Sequence, residues 1–101
     1  MTQIEMLEVI EDMCNEAGQK RGIKFRWAAK IGSQTGGEWE IREFSNTQGG
    51  LTISLTYWKG FQSPIGEQVS LMSDFPPTTK QRNEFVIAVS KKIDAICARV
   101  K

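Results

Sequence analysis

The chain has 101 residues, 40% hydrophobic and 25% charged, with a formal net charge of +1. That length suits one compact domain over residues 1–101, with a core that is feasible but small. The charge excludes the clear basic excess of a domain that binds nucleic acid mainly through phosphates, no apolar run reaches the ~20 residues of a membrane helix, and histidine, the commonest general base and metal ligand, is absent.

Thr2-Gln3-Ile4-Glu5 has the form of a capping box, in which hydroxyl and carboxylate each satisfy a free backbone N–H. After it, Ile4 or Met6, then Val9, Ile10, Met13, Cys14 and Ala17 recur at helical spacing. Gly18 or Gly22 ends this helix, Gly22 being the better stop because a new period begins at Ile23. The start is acidic and amphipathic, unlike a signal peptide, and the expected location is cytoplasmic. Charge is segregated along the chain. Glu5, Glu8, Glu11, Asp12 and Glu16 precede any base, whereas Lys20, Arg21, Lys24, Arg26 and Lys30 follow with no acid among them.

From Ile23 the period becomes two. Ile23, Phe25, Trp27, Ala29 and Ile31 alternate with Lys24, Arg26 and Lys30, which predicts a first strand. Gly32 to Gly37 reads as a turn. Glu38 to Phe44 is the second strand, with Trp39 and Ile41 inward and Glu38, Glu40 and Arg42 outward. Ser45 to Gly50 is a second turn, and Leu51 to Trp58 a third strand with hydroxyls at 52, 54 and 56. Lys59 to Gly66 reads as a longer connection. Glu67 to Phe75 alternates again, with Val69, Leu71 and Phe75 inward. Pro76-Pro77 breaks the sheet, and Thr78-Thr79-Lys80-Gln81 opens a second helix whose apolar stripe is Phe85, Val86, Val89, Ile93, Ile96, Cys97 and Val100. Short links favour an antiparallel meander. The predicted fold is α+β: a two-layer sandwich in which a four-stranded antiparallel meander carries the N- and C-terminal helices on one face, in the order α-β-β-β-β-α.

No chemical motif emerges. Cys14 and Cys97 fall on different helices and read as buried, reduced thiols, a disulfide between them being the alternative; two such residues do not make a zinc site. The glycine pairs are turn glycines without a phosphate-binding lysine after them. Glu38, Glu40 and Glu43 read as a charged strand face paired with the basic strand beside it, not as catalytic carboxylates. No catalytic residue, metal or cofactor is expected.

The sheet face away from the helices is the more informative feature. It is either a solvated face with cross-strand charge pairs or a flat binding surface. Trp58 favours the second reading, since an outward tryptophan among hydroxyls gains from a partner; a bulge near Tyr57-Trp58 would instead turn it inward. Phe61 and Ile65, flanking Pro64, either close the edge of the core or anchor a protein partner.

The order helix–strands–helix resembles that of the double-stranded-RNA-binding domain, whose second helix carries a lysine pair. Ser90-Lys91-Lys92 is locally similar, although this pair falls in mid-helix and the groove-reading loop histidine of that family has no counterpart. Trp39 to Phe44 followed by Leu51 to Leu55 is similar to a strand-turn-strand segment of a family of single-stranded-DNA-binding transcriptional coactivators. Neither resemblance carries residue roles to this chain, and no family is claimed.

These observations lead to an expected function: a small non-enzymatic intracellular protein-binding factor, such as an inhibitor or accessory protein of a phage or mobile element that docks on a host protein. Trp58, Phe61 and Ile65 form one expected contact set and Glu8 and Glu11 another. The alternative is a nucleic-acid-binding module in which Lys24, Arg26, Lys30 and Arg42 meet phosphates and Trp58 stacks on a base. A homodimer through the open sheet face or an edge fits either function.

Overall fold

The computed structural model describes residues 2–28, 38–47, 50–60, 64–71 and 75–100. Helix α1 (Gln3–Gly18) starts at the predicted capping box: Thr2 Oγ1 accepts from the Glu5 N–H at 3.2 Å, and Glu5 Oε1 accepts from the Thr2 N–H at 3.2 Å. These bonds from the Thr2 backbone and hydroxyl hold the Glu5 carboxyl below its ordinary range. Both glycines act at the far end. The α-helix stops at Gly18, a 3-10 turn covers Gln19–Arg21, and Gly22 takes the left-handed conformation (φ 69°) that favours glycine. The Ile23 N–H then donates to the Gly18 carbonyl at 3.0 Å.

Four strands follow, β1 (Phe25–Trp27), β2 (Glu38–Thr47), β3 (Gly50–Trp58) and β4 (Pro64–Leu71), in the spatial order β1-β2-β3-β4. Helix α2 (Thr79–Arg99) closes the order α-β-β-β-β-α and opens with the second predicted capping box, Thr78 with Gln81. The fold is α+β as expected, but the sheet is mixed. β2–β3 and β3–β4 are antiparallel, while β1 runs parallel to β2, pairing Phe25 with Trp39 and Trp27 with Ile41. The expected all-antiparallel meander fails at this first pair. A strand of three residues is short, and residues 28–37 are chain enough to return to the same end of the sheet at ~3.3 Å per residue. The predicted first strand beyond Trp27 and the turn after it, residues 29–37, lie outside the described residues.

Both helices cover one sheet face. The core joins Ile10, Met13 and Cys14 of α1, Phe25, Ile41, Ile53, Leu55 and Val69 of the sheet, and Phe85, Val89, Ile93 and Ile96 of α2. Each such side chain contributes about 1.5–3 kcal/mol of burial free energy. Phe25, Trp39 and Tyr57 meet edge to face and tilted, with ring centroids 5.6 and 4.7 Å apart. β4 starts at Pro64, earlier than expected, so Ile65 belongs to a strand, opposite Tyr57, and packs against the core; Phe75 does so too. The two helices are joined by Arg82–Glu16 at 2.9 Å, and the 3-10 turn after α1 is joined to α2 by Arg21–Asp94. Among the described residues, no helix is long and apolar enough to cross a membrane.

Each outer strand has a side chain on its free edge. Asn15 of α1 grips the Phe25 backbone, accepting from its N–H at 2.6 Å and donating to its carbonyl at 3.4 Å. On β4, Arg99 donates to the Gly66 carbonyl at 3.3 Å and pairs with Glu67 at 2.7 Å. Such contacts satisfy edge groups that would otherwise pair with another chain.

The junction after α1 is tight: a Cβ on Gly18 would stand 2.8 Å from the Ile23 carbonyl oxygen. Gly18→Ala should therefore destabilise the protein by about 1–3 kcal/mol in urea unfolding, although alanine is the better helix former. An unchanged midpoint would show that Ile23 is free to move away.

Candidate functional site

The sheet face away from the helices is not uniformly solvated. β3 runs without a bulge through Tyr57 and Trp58, so Tyr57 faces the core and Trp58 lies on the outer face, opposite Glu38. The bulge is in β2, between Ile41 and Phe44. Glu40, expected as a solvated member of a charged face, is 0% exposed. Its Oε1 accepts from the Trp58 indole N–H at 2.7 Å and from Arg42 Nε at 3.0 Å. The Arg42 guanidinium also lies over the Trp58 ring, 5.5 Å from its centroid. The cause is diagonal packing: Trp58 sits two residues beyond Thr56, the strand partner of Glu40, on the same face, and its indole reaches Glu40. A buried carboxylate must be compensated, and charge-assisted bonds from indole and guanidinium do so.

This arrangement uses groups expected to meet a partner. Trp58 is half-buried with its one donor engaged, and Arg42 is committed to Glu40. Ile65 is part of the core's margin. Phe61 and Lys30 lie outside the described residues. Lys24 and Arg26 are exposed on and just before β1, and the structure does not gather them with Arg42 into an unneutralised basic patch, because the Glu40 carboxylate stands at the centre of that face.

Glu8 and Glu11 are brought into a site. They border a groove of about 340 Å³ whose apolar lining among the described residues is Ile4 and Leu7 of α1 with Trp27 and Ala28 at the end of β1; Arg42 also lines it. The groove exists because Trp27 is pinned to the helix, its indole N–H donating to the Leu7 carbonyl at 3.2 Å. Ile4 is 68% exposed, one of two large hydrophobic residues so exposed among the described residues; the other, Ile87, lies on α2. Ile4, Leu7, Glu8 and Glu11 follow i, i+3, i+4, i+7 spacing, which places them on one line of the helix beside the core stripe. That second line was visible in the sequence. What was not visible is that Trp27, read only as an inward strand residue, would form the opposite wall.

Two further clefts among the described residues are simpler. Ile23, Trp39, Tyr57, Cys97 and Val100 line an apolar cleft beside Arg21. Ser54, Thr56, Gly66 and Gln68 line a polar one with Arg42 and Lys92, whose charges are met by Glu40 and Glu67. Among the described residues no group of histidine, cysteine, aspartate or glutamate side chains could hold a metal ion. Both cysteines are free; Cys14 is fully buried, and burial, with Glu11 nearby, pushes its thiol far up.

No protein-family model, curated protein or solved structure matches this chain.

Two outcomes follow from this geometry. Trp58→Phe keeps the ring and removes the donor to a buried carboxylate, so it should cost about 1.5–3 kcal/mol in chemical denaturation. In a double-mutant cycle with Glu40→Gln the losses should be non-additive by at least about 0.5 kcal/mol; additive losses would mean the bond is not coupled to the fold. A thiol-labelling time course on native protein should modify Cys97, which lines an open cleft, well before Cys14, which should react only on unfolding.

Proposed function

We propose that this chain is a small, non-enzymatic protein-binding factor that docks through the groove between the first half of α1 and the end of β1. The observation that carries this reading is the groove itself, where Ile4 stands 68% exposed beside Leu7 and a Trp27 fixed to the Leu7 carbonyl. A large apolar side chain held at the rim of an apolar groove gains free energy when a partner covers it. An inhibitor or accessory protein of a phage or mobile element, acting on a host protein, is a factor of this kind. The outer sheet face supports a nucleic-acid role less well, because its tryptophan and arginine are bound to a buried carboxylate.

Affinity capture from cell lysate tests the proposal, with wild-type protein and the surface variants Ile4→Ser and Arg26→Ala run with and without nuclease. The expected result is a stoichiometric protein that survives nuclease, remains with Arg26→Ala and is lost with Ile4→Ser. Capture of nucleic acid, or of proteins that depend on Arg26 and vanish with nuclease, would overturn it.

A further inference from the structure

We draw no further inference here: the strongest candidate, the apolar cleft that Cys97 and Val100 of α2 line together with Ile23 and the Trp39–Tyr57 pair of the sheet, offers an apolar surface and a lone free thiol, and nothing in the structure shows what covers it.

Discussion

Phe25, Trp39 and Tyr57 lie side by side on three adjacent strands of the sheet, and their contact fixes which way every neighbouring residue points. Because side chains alternate along a strand, a slip of one residue in any of the three would exchange the two faces. With this row on the helix side, Ile41 and Leu55 enter the core, Glu40 and Thr56 take the outer face, and Trp27 is carried to the α1 side. Asn15 secures the same row from outside by gripping the Phe25 backbone, and Trp27 reaches the Leu7 carbonyl. The groove beside α1 is thus a consequence of the register of the sheet, not of α1 alone.

The outer face has its own logic. A carboxylate with no exposure, on the side away from the hydrophobic core, is costly unless it is bonded on the spot. Trp58 and Arg42 bond it and each other, which makes a compact polar cluster on a sheet otherwise edged with hydroxyls. The cluster engages a tryptophan and an arginine that would otherwise suit stacking on a base and meeting a phosphate. It stabilises the sheet at the expense of the binding role that those residues suggest in isolation, and Ile4 is the most exposed large hydrophobic side chain among the described residues.

Several features could be read locally. Both capping boxes were legible because they depend on residues three apart, and the alternation of Leu51 to Trp58 specified a half-buried strand. The outward position of Trp58 was one of two open readings, since a single bulge would have reversed it; the bulge lies in β2 instead. The parallel pairing of β1 was not legible, because strand direction depends on where the chain returns, and a glycine-rich connection carries no record of that. Ile65 looked like a loop residue because Pro64 precedes it, yet proline is tolerated as the first residue of an edge strand. At the site, Glu8 and Glu11 could be singled out as acids on a helix, whereas the apolar wall opposite them could not.

The sequence by itself determined the element order, the α+β class, the helix starts and nearly all of the core, since these rest on periodicity, capping and burial within short windows. Only the tertiary structure decided the mixed sheet, the burial of Glu40 beneath Trp58 and Arg42, and the meeting of Trp27 with Ile4 and Leu7. Each of these joins residues distant in the chain, and a pattern that repeats every two or four residues holds no information about which distant segment will lie across it.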